Sequence, residues 1–234
     1  MADWQQRLAE VNRPGKSKVV IAHLHPGEVS TIFEESLVNT LNFDLAHDQR
    51  LYRPGQLGLL SIQAGAGSIA RGRNQAVAGF LEGHPGADLL VFIDSDMGWD
   101  ADAVHRLADQ MDDNGWPILG GLCFTHALVG RFEGHAPAEE MHPTLYLWDD
   151  EQKGFEPQFS YPPDTVVTVG ATGGAFLMIS RACLEAMRDA EGDEWFSPIM
   201  VEGNPRPFGE DMSFCARARS HGFPTRVDTG TRIV

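Results

Sequence analysis

The sequence predicts a single α/β domain in which helices flank a central sheet that is mostly parallel. The chain has 234 residues, enough for one sizeable α/β core or for two small ones. Short apolar runs, typical of buried strands, alternate with longer segments of helical periodicity, which favours one continuous domain. Because strands and helices alternate, neighbouring strands are expected to pair in parallel.

The first part of the chain contains the most regular strand and helix signals. Four apolar runs predict strands, at Lys18–Leu24, Leu57–Gln63, Leu89–Ile93 and Ile118–Cys123. Three segments that begin with a small polar or acidic residue predict helices, at Ser30–Phe43, Ser68–Glu82 and Asp100–Gln110. Ser68 is the expected N-cap of the second helix, directly after the turn at Gly65-Ala66-Gly67.

The second part begins with an irregular segment, Thr125–Asp164, that is rich in Pro, His, Gly and aromatic residues. We interpret it as a variable surface insertion in which only Thr144–Trp148 resembles a strand. Further elements follow it: a strand within Val166–Ser180, a helix at Arg181–Ala190, a helix from Glu210-Asp211 to a C-cap at Gly222, and the segment Thr225–Val234.

Composition and charge exclude several kinds of partner. The formal net charge of -15 disfavours DNA or RNA, because nucleic-acid binding needs Lys and Arg to neutralise phosphates. An anionic membrane surface is disfavoured for the same reason. The sequence has no apolar stretch long enough to span a bilayer and no signal-peptide pattern, so an intracellular protein is expected. The widely spaced Cys123, Cys183 and Cys215 are expected to be reduced core residues.

Asp94-Ser95-Asp96 follows the apolar run that predicts the third strand. Side chains alternate along an extended segment, so Asp94 and Asp96 are expected to point the same way. Mg²⁺ and Mn²⁺ are commonly held by one or two carboxylates and completed by substrate phosphates. The pair therefore indicates a metal site that holds a nucleotide diphosphate. The competing interpretation is that both acids end a strand and begin a turn.

Gly65–Ala70 fits the pattern Gly-x-Gly-x-x-Ala of NAD-binding Rossmann-type modules. Three features count against that function: a strand and helix precede it, the acid after the next strand is doubled, and the helix carries Arg71, Arg73 and Asn74. Helical periodicity places Arg73 and Asn74 on the buried face near the helix N-terminus, which favours anions. In the competing interpretation Arg73 reaches solvent and Asn74 bonds to the backbone.

Four features in this order carry a resemblance to a known family: Arg73-Asn74, Asp94-Ser95-Asp96, Gly173-Gly174 and Phe208-Gly209-Glu210-Asp211. From about Lys18 to the end of the sequence, the chain resembles GT-A fold glycosyltransferases. The likeness is greatest to small bacterial and bacteriophage enzymes with an Asp-x-Asp motif, and more distant to Anp1-type mannosyltransferases. The resemblance implies a GT-A-like single domain and a cytoplasmic location, in a bacterial cell or an infected host cell.

The activity implied by the resemblance is that of a hexosyltransferase. Such an enzyme moves a sugar from a UDP- or GDP-sugar donor to an acceptor hydroxyl, and the acidic pair favours inversion. The implied organisation is an N-terminal extension (1–17) and a catalytic domain (18–234). That domain consists of a nucleotide-sugar-binding half (18–123) and an acceptor-side half (124–234) that contains the insertion.

The resemblance also implies roles for individual residues. The nucleotide-sugar would contact His25, Pro26, Gly27, Arg71, Arg73, Asn74, Asp94, Ser95, Gly173 and Gly174. Asp96, together with Asp94, would hold Mn²⁺ or Mg²⁺ against the two phosphates. Glu210 and Asp211 match the pair that binds and deprotonates the acceptor, with Asp211 as the expected base. The competing interpretation is that both acids only stabilise a helix dipole.

One departure from the family concerns the metal. Similar enzymes often place a metal-binding His shortly after the segment that corresponds to Asp228–Val234, and no His follows His221. Either the given sequence ends before that ligand, or Asp96, phosphates and water alone hold the ion.

Other residues near these motifs have less specific interpretations. Trp195, Phe196 and Phe208 flank the acidic pair, where aromatic rings either stack on sugars or anchor a core. His126, His135 and His142 are expected at the surface, because their spacing fits no compact metal motif.

Three other functions remain open from the sequence alone. A sugar nucleotidyltransferase shares the α/β plan, but His25–Glu28 does not resemble its Gly-rich basic loop. An NAD-binding Rossmann-type module is the second, and a degenerate nucleotide-sugar-binding protein without activity is the third. No motif identifies the acceptor as a protein, a glycan or a lipid, and none indicates the oligomeric state.

Overall fold

The computed structural model of this protein describes residues 16–53, 57–129, 138–151, 153–201 and 206–234. Seven elements form the first part: β1 (Val19–His25), α1 (Thr31–Ala46), β2 (Leu59–Gln63), α2 (Ile69–Gly83), β3 (Leu89–Ile93), α3 (Ala103–Asn114) and β4 (Ile118–Leu122). The described elements of the second part are β5 (Phe124–Val129), β6 (Ala138–Pro143), β7 (Leu145–Asp149), β8 (Gly154–Pro157), β9 (Val166–Val169), β10 (Ala171–Thr172), β11 (Phe176–Ser180), α4 (Arg181–Glu191), α5 (Glu210–Ser220) and β12 (Thr225–Arg232).

A seven-stranded sheet with the order β2-β1-β3-β11-β4-β12-β9 forms the centre of the fold. Strands β1 to β4 and β12 run in one direction, whereas β9 and β11 run in the other. The predicted mostly parallel sheet is therefore mixed. The chain leaves the sheet after β4, builds β5 to β8 outside it and returns as the edge strand β9. After β10 it enters the sheet again as β11, which runs back between β3 and β4.

Helices cover both faces of this sheet, which explains why its central strands read as continuous apolar runs. In β3, Leu90 and Phe92 pack into the cluster formed with α2, α4 and α5. Leu89, Val91 and Ile93 pack on the opposite face, against α1 and α3. All five side chains are buried, and each such burial stabilises the fold by about 1.5–3 kcal/mol.

The observed N-termini of the helices agree only in part with the predicted capping residues. Ser30 caps α1, because its Oγ accepts a hydrogen bond from the Phe33 N–H at 3.2 Å. Ser68 precedes α2 as predicted, but its hydroxyl donates to Gly65 O at 3.0 Å instead of capping the helix. Helix α3 begins at Ala103 rather than at Asp100, because Ala103 N–H first closes a turn onto Asp100 O.

The interpretation of 125–164 as an irregular insertion is wrong for its described residues. Strands β5 and β6 form an antiparallel ribbon, and β7 pairs with both β8 and β10. Only β7 was expected there. Strands β5 and β6 contain His, β6 and β8 contain Pro, and the partner β10 lies beyond the segment. Residues 130–137 and 152 lie outside the described part of the chain.

The end of the chain completes the same sheet. Helix α5 ends at Ser220, and Gly222 follows with a left-handed backbone (φ 82°) that a C-cap glycine allows. Strand β12 then pairs with β4 and β9, so strands from both predicted halves share one sheet. All three cysteines are buried and reduced, as predicted. None of the described helices has the length and apolarity needed to cross a membrane. Of the expected extension 1–17, residues 1–15 lie outside the description.

Candidate functional site

A cleft of about 500 Å³ lies where β1 and β3 end, bordered by the starts of α2 and α5. Ligands of open α/β sheets commonly bind at this edge, because the loops that follow the strands meet there. Seven of the predicted site residues line the cleft: His25, Pro26, Arg73, Asp94, Ser95, Asp96 and Glu210. The structure therefore brings together residues that are far apart in the sequence.

Arg73 forms the buried side of the cleft, with 3% of its side chain exposed. Its Nη1 donates to Gly174 O at 2.9 Å, and its Nη2 donates to Asp94 Oδ1 at 3.1 Å. Its Nε lies 3.9 Å from Glu210 Oε1 and has no hydrogen-bond partner in the described structure. The interpretation in which Arg73 reaches solvent is wrong. Its guanidinium instead joins α2 to the acidic residues of β3 and α5.

Position 174 has no room for a side chain, because the Arg73 guanidinium occupies the space beside Gly174. A Cβ built on Gly174 would overlap Nη1, Cζ and Nη2 of Arg73. At neighbouring Gly173 a Cβ would lie 3.3 Å from the Thr144 side chain, a tighter contact than usual. Neither glycine lines the cleft, so their observed role is to let the segment before β11 approach Arg73 and Thr144.

The Asp94–Asp96 loop is held by backbone hydrogen bonds from three other segments. Ser95 O accepts from the Ser30 N–H at the start of α1, at 2.9 Å. Asp94 N–H donates to Ala175 O before β11, at 2.9 Å. Two hydrogen bonds, of 2.6 and 3.0 Å, pair Gly98 with Val234 after β12. This support holds the backbone of the loop in place before any ligand binds, which lowers the entropic cost of binding.

The electrostatics of the cleft favour a positively charged ligand. Burial raises the pKa of Asp94, and the carboxylates of Asp96 and Glu210 raise it further, although Arg73 opposes the shift. Burial and the charge of Glu210 likewise raise the pKa of Asp211. One guanidinium thus faces more negative charge than it can neutralise, and a bound cation would relieve the excess.

Asp211 lies behind Glu210 and outside the lining of the cleft. Its carboxylate accepts hydrogen bonds from the backbone N–H groups of Met212, at 2.8 Å, and Gly174. Burial, together with the charge of Asp211, raises the pKa of Tyr146 on β7. Sequence analysis does not connect Tyr146 with Asp211, because only the tertiary fold places β7 beside α5.

Asn74 contacts a loop rather than the cleft. Its Oδ1 accepts from the Phe196 N–H at 2.8 Å, and its Nδ2 donates to Ser197 Oγ at 3.1 Å. The amide is thus used to anchor the chain after α4, as the competing backbone-bonding interpretation expected. Arg71 is exposed, and neither Arg71 nor Gly27 is among the cleft-lining residues. Their predicted nucleotide-sugar contacts stay predictions.

Two of the three aromatic residues predicted near the acids belong to the core. Trp195 and Phe196 are 1% and 0% exposed, and the Phe196 ring stacks on Phe214. Phe208 is half-buried and remains accessible two residues before Glu210.

His23 is a buried neighbour of the cleft residue His25 that the sequence analysis missed. It lies two residues before His25 on β1, so both side chains share a face, and the ring centroids are 5.6 Å apart. The Nδ1 atoms of both rings lack hydrogen-bond partners in the described structure. Burial lowers the pKa of His23, and the neighbouring His25 lowers it further. The alternation of side chains along β1 predicts that His23 and His25 share a face. The strand was interpreted only as a buried apolar run, so the pair was not identified.

The carboxylates of Asp94 and Asp96 suit a divalent ion held by few protein ligands. Within the described residues, no group of three or more His, Cys, Asp or Glu side chains is placed to hold a metal. The donor set therefore fits an ion completed by phosphate oxygens and water, a common arrangement for Mg²⁺. The expected surface location of His142 is wrong, because it is 6% exposed. The side chains of His126 and His135 lie outside the description.

Comparisons with known proteins add information on the fold. No family model matches the sequence, and no curated protein matches it. The structure is similar to A197 from STIV, a viral protein, with a TM-score of 0.52 and 15% identity over 92% of this chain and 84% of that chain. It is also similar to GalNAc-T7 crystallised with UDP, GalNAc and Mn²⁺, with a TM-score of 0.54 and 9% identity over 94% of this chain.

The chain spans 44% of GalNAc-T7, which is less than half of that protein. Likeness at such low identity shows a shared fold: a mixed α/β domain whose large central sheet is flanked by helices.

Proposed function

We propose that this protein is a metal-dependent glycosyltransferase that moves a sugar from a nucleotide diphosphate-sugar to an acceptor hydroxyl. The observation that carries the proposal is the convergence of Arg73, Asp94, Asp96 and Glu210 on one cleft of about 500 Å³. The likeness to GalNAc-T7, a glycosyltransferase crystallised with UDP and Mn²⁺, supports a GT-A-like fold and this class of donor.

The two acids after β3 have different surroundings, which supports different roles. Asp96 is exposed to the cleft, so its carboxylate is available to a divalent ion. Asp94 already accepts a hydrogen bond from Arg73, which suits contact with the ribose or with a water bound to the ion. Bound Mn²⁺ or Mg²⁺ would supply Lewis-acid neutralisation of the charge on the departing diphosphate.

Arg73 and the acids of α5 would serve the donor and the acceptor. Arg73 lines the cleft and donates to Asp94, so it would orient that carboxylate toward the donor. Glu210 lines the cleft and would bind the acceptor hydroxyl. Asp211 would act as the base, because its raised pKa increases its proton affinity and two backbone N–H groups fix its direction.

A donor screen tests this proposal directly. UDP or GDP with Mn²⁺ is expected to raise Tm by several degrees, since a ligand at 100 times its Kd stabilises by about 2.7 kcal/mol. Release of UDP or GDP from UDP- and GDP-sugars is then measured with and without Mn²⁺. Asp96→Asn is expected to abolish both the stabilisation and the release, while Asp113→Asn, at an exposed acid of α3, leaves them unchanged.

The competing functions predict different results in the same assay. Stabilisation by NAD that is indifferent to Mn²⁺ would favour a dinucleotide-binding module. Donor binding without release would indicate a binding protein that lacks activity. The glycosyltransferase proposal fails if no nucleoside diphosphate stabilises the chain in the presence of Mn²⁺.

A further inference from the structure

A compact cluster of three aromatic side chains includes Phe208, two residues before Glu210 at the acidic end of the cleft. The Phe208 ring centroid is 5.2 Å from that of Phe155 on β8. Trp148 on β7 completes the cluster, with its ring centroid 5.0 Å from Phe155 and 6.3 Å from Phe208. All three side chains are half-buried, so each retains accessible surface. The described residues therefore form a continuous aromatic surface that begins beside Glu210.

A second cavity, of about 370 Å³, lies beside this aromatic cluster, because Trp148 also lines it. Trp148 and Arg219 belong to its lining, and the Arg219 guanidinium stands 5.3 Å from the indole centroid. No carboxylate of the described residues forms an ion pair with Arg219. Thr168 adds an exposed hydroxyl. Gly170 also lines the cavity and packs closely against β7. A Cβ at this position would approach the Trp148 backbone N to 2.5 Å.

We infer that the acceptor is an oligosaccharide chain that extends from the cleft over Phe208 and Trp148 into the second cavity. This inference rests on the proposed function, because it identifies the acceptor of that site. Pyranose rings present apolar C–H faces that pack on aromatic rings, and their hydroxyls accept hydrogen bonds from a guanidinium. The aromatic cluster supplies the rings, and Arg219 in the cavity supplies the guanidinium.

The chemistry of the surface favours a glycan over other acceptors. A nucleic acid is disfavoured by the net charge of -15. A lipid chain offers no partner for Arg219 and Thr168, whereas a sugar offers both apolar faces and hydroxyls to this largely apolar lining. A peptide that added a strand at the free edge of β8 or β10 is the alternative that the binding test separates.

Oligosaccharide binding to the full chain is testable without a donor sugar. Intrinsic tryptophan fluorescence is titrated with malto-, cello-, chito-, manno- and galacturono-hexasaccharides and with their disaccharides. At least one hexasaccharide is expected to give a saturable change, at least about tenfold tighter than its disaccharide, because only the longer chain contacts the cleft, the aromatic cluster and the second cavity together.

Variants connect the signal to this surface. Trp148→Phe is expected to remove the fluorescence change, and Arg219→Ala to weaken binding about fivefold to tenfold. Arg188→Ala is the matched control, because Arg188 also stands 5.3 Å from an indole, that of the buried Trp195. It is expected to bind oligosaccharide like the unchanged chain. Because Arg219 is exposed, its truncation leaves the fold intact.

The outcomes separate this inference from the proposed function. If UDP and Mn²⁺ stabilise the chain but no hexasaccharide binds, or Arg219→Ala binds as tightly as the unchanged chain, the glycan acceptor is overturned alone. Saturable binding of a Ser- and Thr-rich peptide in place of every hexasaccharide would also overturn it. Hexasaccharide binding without any response to nucleoside diphosphate would instead overturn the transferase function.

Discussion

Two aspartates beside arginines show how the two ends of the central sheet differ. Asp44 lies near the amino end of β1 and has no exposed surface. Arg53 donates to it at 2.6 Å, and His105 Nε2 lies 2.9 Å from it. Asp94 lies at the carboxyl end of β3, where 38% of its side chain is exposed and Arg73 donates to it at 3.1 Å.

The pKa values of these two carboxyls shift in opposite directions. Burial alone would raise the pKa of Asp44, but hydrogen bonds from Arg53, the Leu51 N–H and His105 lower it by more. Burial also raises the pKa of Asp94, and there the shift persists despite Arg73. The amino end thus satisfies its charge within the protein, whereas the carboxyl end retains an excess of negative charge.

This difference separates a stabilising network from a candidate binding site. A network that stabilises the fold gains from complete pairing, since an unpaired buried charge is costly. A binding site can retain unfavourable charge, because a ligand of opposite sign relieves it and gains affinity in return. The four predictions below test whether the two ends differ in this way.

The largest expected effect is at the amino end. Asp44→Ala is expected to lower the free energy of unfolding by about 3–5 kcal/mol, because Arg53 and His105 lose the charge that they contact. Urea denaturation measures this change. Asp48→Ala is the control, because Asp48 is 49% exposed and pairs with Lys16 at the surface, where ion pairs contribute about 1 kcal/mol or less. If both variants lost the same free energy of unfolding, Asp44 would not belong to a buried stabilising network with Arg53 and His105.

Acid is expected to destabilise the protein through the same network. Burial lowers the pKa of His105, so the unfolded chain takes up that proton first, and stability falls as the pH drops below about 6.5. The pKa of Asp44 is lowered in the folded state. Its contribution is therefore present above its unfolded pKa and is lost as the pH falls through the folded pKa.

Tm measured between pH 8 and pH 3 tests both contributions of the acid-sensitive network. His105→Gln cannot take up a proton, so it is expected to flatten the profile between about pH 6.5 and pH 5. An unchanged slope in that variant would show that His105 does not carry this part of the acid sensitivity.

Gly174→Ala probes the carboxyl end with a smaller effect on stability. The added methyl group would displace the Arg73 guanidinium from Gly174 O and Asp94, at a cost of about 1–3 kcal/mol. Stabilisation by UDP and Mn²⁺ is expected to be lost, as measured by thermal shift. Gly65→Ala is the control, since nothing lies within 4 Å of its added Cβ. Full retention of the UDP response in Gly174→Ala would contradict a role for Arg73 at the site.

The sequence predicts the strands of the first half well because each is a local apolar run. Leu89–Ile93 has the predicted bounds, and the acid pair follows it as expected. Nothing local to Arg73 reveals that it contacts Asp94 and Gly174. That contact exists because β11 inserts antiparallel beside β3, with Phe176 opposite Ile93, and brings Gly174 within hydrogen-bond distance of Arg73.

Local sequence patterns do not show which distant strands pair with each other. Tyr146 pairs with Ala171, so the strand predicted at 144–148 has, besides its hairpin partner β8, a second partner that lies beyond β9 in the sequence. For the same reason, the aromatic surface from Phe208 to Trp148 joins residues that the sequence separates by sixty positions. The candidate cleft was predictable as a set of motifs, but its second cavity was not.

The smallest expected effect has the opposite sign to the first. Asp94→Asn removes a carboxylate whose charge is disfavoured in the folded state, so stability is expected to rise by less than about 1 kcal/mol, or by a few degrees in Tm. Asp44→Asn is the matched exchange at the other end and is expected to destabilise the chain. Both variants are compared by thermal denaturation at pH 7, without a metal ion or a nucleotide.

This pair of variants measures the sign of the charge balance at each end of the sheet. Each exchange keeps the size of the side chain and removes one negative charge, so packing changes little. A loss of stability in Asp94→Asn as large as in Asp44→Asn would show that the bond to Arg73 outweighs the repulsion from Asp96 and Glu210. The carboxyl end would then be as self-sufficient as the amino end, and the excess charge that favours a cation there would not exist.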